Sequence, residues 1–316
     1  MHFLIFIQNI YILSHIKSVF SIKDLENFSG VKAHTIRIWE KRYNLLSPER
    51  TETNIRNYSL DSLKKLLNIS LLNSEGIKIS KIANYDDKAF EEVLNHAISE
   101  KVNKNQFTNK LKIAMLNFDV VLFEEAYSQI EKVLSFSDIF KNYLIPFLGD
   151  IGLLWQSGSI NPTHEHFISN LIKQKILINT YHLQIKEVEK HDKLFILFLP
   201  DNEIHDLGLT YLQYEVVNAG YKSIMLGASV PIDSLKPFIN KDQDVIFISY
   251  FTVEPEIKKI PQYFQEFNNE LLLNNKAIFY VLGKQIGLIS DEVKIPKQVN
   301  LYHSLDDVIK DINNSS

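Results

Sequence analysis

The stretch that decides the fold is Glu203-Ile204-His205-Asp206-Leu207-Gly208, which follows the apolar run at residues 194–200. An apolar run followed by a polar loop and then by an amphipathic segment predicts a strand, a loop and a helix in succession. Open α/β sheets bind ligands at the carboxyl ends of their strands. The histidine is therefore expected at a ligand-binding edge, although a polar turn with a surface histidine gives the same pattern.

Each residue type in this stretch suits a defined task. Glu203 lies two residues before His205 and can accept a hydrogen bond from one ring nitrogen, which leaves the other nitrogen free to bind a metal. Gly208 lets the chain pass close to a bulky group. The loop therefore predicts a single, oriented imidazole.

The sequence after residue 194 has the rhythm of a parallel sheet. Apolar runs recur at residues 194–199, 223–226, 245–250 and 278–282, with amphipathic segments between them. This alternation of strand and helix predicts a doubly wound α/β domain. Residues 86–185, by contrast, have helical periodicity that is interrupted by Pro146 and by residues 157–162. They predict a four-helix bundle.

The amino-terminal part predicts a winged helix-turn-helix. Residues 21–24 have the form of a capping box that opens a helix ending at Ser29-Gly30, and a second helix is expected from Ala33 to Tyr43. Residues 45–58 lack helical periodicity and predict a small hairpin, or wing. Asn54 tolerates a positive φ in the turn of that hairpin.

Composition bounds the class of protein. The chain has 316 residues, enough for two or three domains, with a net charge of −4 and no cysteine. Residues 17–80 carry a net charge of +4, so the remainder carries −8. A basic head on an acidic body suits DNA binding. The absence of cysteine excludes disulfides and thiolate metal sites and suits a reducing cytoplasm.

Residues 1–16 are apolar but lack the features of a signal peptide, and they are too short and too polar to span a bilayer. We expect them to be a start extension. No transmembrane segment and no membrane partner are expected elsewhere in the sequence.

Three signatures in one order carry a resemblance to a known family. Residues 203–208 resemble the cobalamin signature Asp-x-His-x-x-Gly, with glutamate in first place. Trp155, followed nine residues later by Glu165-His166, is similar to the signature of the helical cap over adenosylcobalamin. Residues 35–43 resemble the recognition helix of MerR-type proteins. Together these segments resemble MerR-type regulators with a cobalamin domain, the CarH/LitR-like photoreceptor repressors.

The resemblance implies a multidomain α and α/β fold. It places a winged helix-turn-helix head at residues 17–85, a four-helix bundle cap at 86–188 and a Rossmann-like (flavodoxin-like) cobalamin-binding domain with a parallel sheet at 189–316. It also implies site residues. The lower axial ligand of cobalt is expected to be His205, and the other cofactor contacts are expected to be Glu203, Gly208, Ser249, Gly283, Trp155, Glu165 and His166.

The chain departs from the family pattern at two positions. Gln156 occupies the position after the tryptophan, where light-sensing members have a histidine that captures cobalt after photolysis. Lys284 replaces the second glycine of a Gly-Gly pair near the nucleotide tail, so it either crowds the tail or binds its phosphate. The first departure puts light-triggered ligation in question, and the second puts tail binding in question.

Expected DNA contacts lie on the second helix and on the wing, where arginines bind mostly phosphates. The alternative for each arginine is that it belongs to a solvent-exposed charged surface and does not contact DNA. The expected contacts are His34, Thr35, Arg37, Arg42, Tyr43, Arg50, Arg56 and Tyr58.

The expected function is that of a cytoplasmic transcriptional repressor, not an enzyme. Adenosylcobalamin, or another cobalamin, sets its oligomeric state, a dimer or tetramer, and thereby its affinity for double-stranded operator DNA. One alternative is a regulator of the same fold with a degenerate pocket that a protein partner controls. A second alternative is a corrinoid enzyme subunit, against which the DNA-binding head argues.

Overall fold

The computed structural model describes residue 17 and residues 19–99, 104–239, 243–290 and 293–314. The predicted start extension, residues 1–16, lies outside the described residues. The chain forms two compact units, Met1–Leu171 and Ile172–Ser316.

The first unit begins with a helix-turn-helix and a three-stranded wing. Helices α1 (Ile22–Ser29) and α2 (Ala33–Tyr43) form the motif, and α3 (Leu60–Ser74) and the short α4 (Ile79–Ile82) follow the wing. Strand β3 (Arg56–Ser59) pairs antiparallel with β1 (Val19–Phe20) on one side and with β2 (Glu49–Arg50) on the other.

Local chemistry sets these boundaries as the sequence predicts. Ser21 and Asp24 form the capping box of α1: the Asp24 N–H donates to Ser21 Oγ over 3.2 Å, and the Ser21 N–H donates to the Asp24 carboxylate over 2.8 Å. Gly30, with φ +72°, ends the helix. Asn54 has φ +64° in the wing turn, which confirms its predicted conformation.

The helical part of the first unit contains α5 (Asp87–Ser99), α6 (Lys104–Asn117) and α7 (Val120–Ile130). Helix α8 (Phe136–Ile139) continues through a π-helical turn, Phe140–Leu144, into α9 (Ile145–Gln156). The wide turn directly precedes Pro146, because a proline inside a helix removes one backbone hydrogen bond.

Helix α10 (Pro162–Gln184) crosses from the first unit into the second. The helical segments from residue 104 to residue 184 supply the four long helices that the sequence predicts, and α5 precedes them. The domain boundary at residue 188 remains a prediction, since the compact units divide inside α10.

The second unit is built on a parallel five-stranded sheet. The strands are β4 (Lys190–Phe198), β5 (Tyr221–Gly227), β6 (Asp244–Tyr250), β7 (Ile278–Leu282) and β8 (Val299–Leu301), and their order is β5-β4-β6-β7-β8. This is the flavodoxin-like order, in which ligands bind where β4 and β6 lie side by side. The predicted α/β class is confirmed, and β8 is a fifth strand that the apolar runs did not predict.

Three α-helices accompany the described strands: α11 (Leu207–Asn218), α12 (Ile260–Phe267) and α13 (Leu305–Asn314). The connection from β5 to β6 contains a 3₁₀ segment, Ile232–Phe238, which holds Pro237. Stacked phenyl rings fill the core on one face of the sheet, and Phe267 and Phe279 have their centroids 3.8 Å apart. Over the part of the chain that the structure describes, every helix is too short or too polar to cross a membrane.

Candidate functional site

Glu203 is the organising residue of the loop after β4. Its side chain is fully buried. Oε2 accepts three backbone N–H groups from the loop after β6: those of Thr252 at 3.1 Å, Val253 at 2.7 Å and Glu254 at 2.9 Å. A single carboxylate thus ties together the two loops that flank the ligand-binding crevice of this fold.

The other carboxylate oxygen holds the histidine. Glu203 Oε1 accepts the backbone N–H groups of Ile204 and His205, each at 2.9 Å, and lies 2.6 Å from His205 Nδ1. Burial opposes ionisation of this carboxyl. The hydrogen bonds from Val253, His205 and Glu254 outweigh that effect and lower the pKa of Glu203 to about 2. Glu203 is therefore a carboxylate at neutral pH.

The geometry selects one tautomer of His205. An ionised Glu203 accepts the proton on Nδ1, so Nε2 carries the lone pair. The imidazole side chain is 53% exposed, so that nitrogen is available to a ligand. One imidazole nitrogen suits a metal whose other ligands come from a cofactor, and imidazole is a normal ligand of cobalt.

Three apolar side chains are exposed in the histidine loop and in the chain that follows β6. Ile204 is 70% exposed, Val253 is 50% exposed and Ile257 is 43% exposed. Ile204 adjoins His205 in the chain, and Val253 belongs to the loop that Glu203 holds. Sequence reasoning missed all three, because a single isoleucine or valine in a loop carries no periodic signal.

Gly208 has the role expected from the sequence, and the structure identifies the bulky group. A Cβ at this position would lie 2.8 Å from Tyr250 Cε2, so the Tyr250 ring occupies the space that any other side chain would need. Tyr250 ends β6, and burial raises the pKa of its hydroxyl. Gly208 thus packs the start of α11 against the end of a neighbouring strand.

Ser249 is buried in β6, and its Oγ has no hydrogen-bond partner among the described residues. Ser249, an expected cofactor contact, therefore makes no hydrogen bond to Glu203 or His205 in this structure. Tyr263 Oη and Gln285 Oε1, also in the second unit, are buried without a partner in the same described set. Unpaired buried polar groups are costly, so these atoms are candidates to bind an additional polar group.

The backbone at residue 283 requires glycine. Its φ is +113°, and a Cβ would lie 2.6 Å from the Phe251 carbonyl carbon and even closer to the carbonyl oxygen. The turn after β7 therefore packs directly on the chain after β6, which only glycine allows. Lys284 is exposed and needs no positive φ, so lysine is compatible with this turn.

The predicted cap residues belong to the first unit. Trp155 lies in the last turn of α9 and is 53% exposed, and Gln156 beside it is exposed as well. Glu165 Oε2 lies 2.8 Å from His166 Nδ1, and Ser169 Oγ donates to Glu165 Oε1 over 2.6 Å. Glu165 thus orients His166 much as Glu203 orients His205.

The predicted DNA contacts lie on the head, and most are accessible. His34, Arg37 and Arg42 on α2 and Arg50 on the wing are exposed. The Arg42 guanidinium lies 5.4 Å from the centroid of the half-buried Tyr43 ring, and Thr35 is also half-buried. Ile38 on α2 and Ile55 on the wing are more than half exposed, and the sequence analysis did not select them.

One predicted DNA contact needs correction. Tyr58 is only 1% exposed, and its hydroxyl donates to Glu40 on α2. Burial, followed by the hydrogen bond and charge of Glu40, raises the pKa of this tyrosine. Arg56 Nε binds the same carboxylate over 3.0 Å. Tyr58 therefore supports the wing from inside, since an inward-facing side chain cannot reach DNA.

Comparison with known proteins separates the chain into two recognised parts. Residues 20–88 match the family described as MerR HTH family regulatory protein, and residues 107–178 match the B12 binding domain. The HTH-type transcriptional repressor CarH of Myxococcus xanthus is 26% identical over 213 residues, which cover 66% of this chain and 70% of that protein. The repressor CarA of the same organism is 22% identical over 234 residues, covering 72% of this chain and 75% of that protein.

A solved structure supports the fold independently. The monomethylamine corrinoid protein of Methanosarcina barkeri aligns with a TM-score of 0.55 and 16% identity, over 68% of this chain and 100% of that one. At this identity the likeness shows the fold alone. Since both curated relatives are transcriptional repressors, the alternative of a corrinoid enzyme subunit is set aside.

Proposed function

We propose that this chain, a CarH-like regulator in which a MerR-type helix-turn-helix precedes a B12-binding domain, represses transcription from operator DNA under the control of cobalamin. The observation that carries the proposal is the pair of Glu203 and His205. A buried carboxylate fixes the Nδ1 proton and presents Nε2 at the crevice where a flavodoxin-like sheet binds ligands.

The residues present fit a cobalamin. His205 Nε2 supplies the lower ligand of cobalt, and the exposed Ile204 and Val253 supply apolar surface for a corrin ring. Ser249, whose buried Oγ is unpaired within the described ranges, is available to join Glu203 and His205 beneath the cofactor. Gly283 keeps the turn after β7 compact beside that path.

In this proposal the first unit also contributes residues that contact the cofactor. Trp155 presents an exposed indole for the upper ligand of the cofactor, and the Glu165–His166 pair lies on the following helix. Adenosylcobalamin supplies a cobalt–carbon bond that light can break. In this proposal Trp155 would contact the adenosyl group, and His205, oriented by Glu203, would bind cobalt through Nε2.

Operator binding in this proposal depends on the basic head. Arg37, Arg42 and Arg50 are exposed around α2 and the wing, where they can neutralise phosphates. Two or more heads joined in a homo-oligomer bind more tightly than one, so a cofactor that controls assembly also controls repression. A cytoplasmic location is part of this proposal, and the operator target supports it.

A regulator that answers to a protein partner instead of cobalamin is the second candidate. Gln156 and Lys284 favour it, because both depart from the pattern of cobalamin-binding members. The exposure of Lys284 weakens that argument, since the side chain leaves the turn toward solvent. A direct binding measurement decides between the two candidates.

The test is the visible spectrum of the purified chain mixed with adenosylcobalamin in the dark. We expect a bound spectrum with imidazole coordination. His205→Ala should abolish that coordination and weaken binding by at least about tenfold, the effect expected for losing even a supporting group. His191→Ala, which removes an exposed histidine of the same unit, should change neither. An unchanged spectrum and affinity in His205→Ala would remove this residue as the ligand.

A further inference from the structure

The turn at residues 157–160, here called the coupling turn, lies between Trp155 and the Glu165–His166 pair. Helix α9 ends here because Gly158 adopts φ +68°, and the Ser159 N–H donates to the Leu154 carbonyl over 2.9 Å. The Gly158 N–H donates to the Trp155 carbonyl, also over 2.9 Å. The coupling turn is therefore fixed to the backbone that carries Trp155.

The coupling turn is also fixed to the DNA-binding head. Asn27 on α1 donates from Nδ2 to Ser159 Oγ over 3.1 Å, and Ser159 is fully buried. Lys17 Nζ donates to the Gly158 carbonyl over 2.9 Å and pairs with Asp24 over the same distance. Asp24 is the capping-box residue of α1, so both contacts reach the first helix of the helix-turn-helix.

Lys112 provides a second link between α1 and α9. Lys112 on α6 is more than nine-tenths buried, and its Nζ donates to the Phe28 carbonyl in the last turn of α1 over 3.1 Å. The same ammonium lies 3.7 Å from Asp150 on α9. A cation at a helix carboxyl end is favourable, so Lys112 stabilises α1 while it contacts α9.

We infer that the coupling turn, with Asn27 and Ser159 as its positioning residues, transmits the state of the surface at Trp155 to the DNA-binding head. A ligand that shifts the end of α9 shifts the coupling turn with it, because backbone hydrogen bonds join them. The turn then shifts α1 through the Asn27–Ser159 bond. This inference rests on the proposed function in that cobalamin is the ligand at Trp155.

The coupling between cobalamin and operator binding is measured as a ratio of operator affinities. The operator dissociation constant without cobalamin, divided by that with cobalamin, measures the coupling free energy. Asn27→Ala and Ser159→Ala each remove the direct side-chain bond between the coupling turn and α1, while the Lys17 contacts remain. Each should bring that ratio closer to one by about fivefold, the equivalent of one neutral hydrogen bond. The double variant should add nothing to the effect of Ser159→Ala, because that variant already removes the Asn27–Ser159 bond, together with the 3.0 Å contact between Ser159 Oγ and Ser157 Oγ.

The experiment compares these variants of the full chain with Asn84→Ala. Asn84 donates from Nδ2 to the Ser80 carbonyl within the head and makes no contact with the coupling turn, so its replacement should keep the ratio of the unmodified chain. Amide hydrogen exchange at residues 22–30 without ligand is the second readout. It should be faster in Asn27→Ala and Ser159→Ala than in Asn84→Ala.

The two readouts separate failure of the inference from failure of the proposed function. An unchanged ratio in Ser159→Ala, with cobalamin still bound, overturns the coupling even where exchange is faster. If the unmodified chain binds no cobalamin, the proposed function fails. Amide hydrogen exchange then tests only the contact between the coupling turn and α1. If exchange at residues 22–30 is unchanged in Asn27→Ala and Ser159→Ala, the coupling turn does not stabilise α1.

Discussion

At the scale of single residues, Glu203 has the largest number of tasks in the second unit. It accepts three N–H groups from a loop about fifty residues further along the chain, and it fixes the proton of His205. The sequence predicts the second task, because two residues separate the carboxylate from the imidazole. It could not predict the first, because nothing in residues 252–254 marks their backbone as donors to a distant side chain.

The pH dependence of stability follows from the Glu203 carboxylate. Its pKa is lowered in the folded chain from its ordinary 4.5 to about 2, so its stabilising contribution is complete above pH 4.5 and is lost as the pH falls toward 2. Glu203→Gln should therefore lower the free energy of unfolding at pH 7, and its difference from the unmodified chain should shrink below pH 4.5.

Chemical denaturation at a series of pH values measures this difference, with the exposed Glu91→Gln as the control. We expect Glu203→Gln to cost about 2–4 kcal/mol at pH 7, because several buried donors lose a charged acceptor. A cost that stays constant from pH 7 to pH 2.5 would show that ionisation of Glu203 is not its source.

The glycine at residue 283 gives a second prediction at this scale. Gly283→Ala places a Cβ against the Phe251 backbone at a positive φ and should destabilise the chain by about 2 kcal/mol or more. Gly287→Ala, three residues after Lys284, meets nothing within 4 Å and should stay within about 0.5 kcal/mol of the unmodified chain. Thermal and urea unfolding of the two variants provide the comparison, and equal stabilities would contradict the described turn.

At the scale of elements, sequence signals located the helices and strands where chemistry is local. Helix α2 has the predicted ends, and its carboxyl end is set locally by Asn44, which adopts φ +50° and donates its N–H to the Glu40 carbonyl. Strand β8 was missed because three residues carry no measurable alternation. Strand β4 begins at Lys190 rather than 194, because its first residues pair beside a register irregularity that the apolar pattern does not reveal.

The wing likewise contains a contact that depends on residues distant in sequence. Arg56 and Tyr58 are two residues apart on β3 and so lie on one face of the strand. Both bind Glu40 of α2, a contact between elements that sequence spacing does not show. Burial of Tyr58 follows from this pairing. The wing is therefore held against the recognition helix from inside, while Arg37 and Arg50 face outward.

Helix α2 carries the prediction at this scale. Arg37→Ala should weaken operator binding and lower the slope of log affinity against log salt by about 0.9, the value for one phosphate contact, while cobalamin binding is retained. Arg56→Ala should also weaken operator binding, mainly through loss of the Glu40 bond that supports the wing. Lys88→Ala on α5 removes an exposed charge outside the motif and serves as control. Equal operator affinities at several salt concentrations would remove Arg37 as a DNA contact.

At the scale of the whole molecule, the chain joins a DNA-binding head to a cofactor domain by way of a helical module. The order of the three signatures gave this organisation, because each signature depends on residues close in sequence. The coupling turn could not be found in the same way. Asn27 and Ser159 are 132 residues apart and are of types common in any loop. Links between modules thus depend on folding, whereas the modules themselves can be identified from short motifs.

The last prediction concerns light and rests on Gln156. If the chain binds adenosylcobalamin against Trp155, illumination still breaks the cobalt–carbon bond, because that reactivity belongs to the cofactor. Retention of the corrin afterwards depends on a new upper ligand, and the exposed Gln156 supplies no imidazole where light-sensing members have one. The illuminated chain should therefore lose cobalamin on a desalting column, and Gln156→His should slow that loss by about tenfold, the effect of an added bond worth about 1.4 kcal/mol. Gln174→His, at an exposed glutamine of α10, should not slow it.

If the unmodified chain retains its cobalamin with the spectrum of two coordinated imidazoles, then a second histidine already serves as the upper ligand. His166, held by Glu165, is the first candidate to replace in that case.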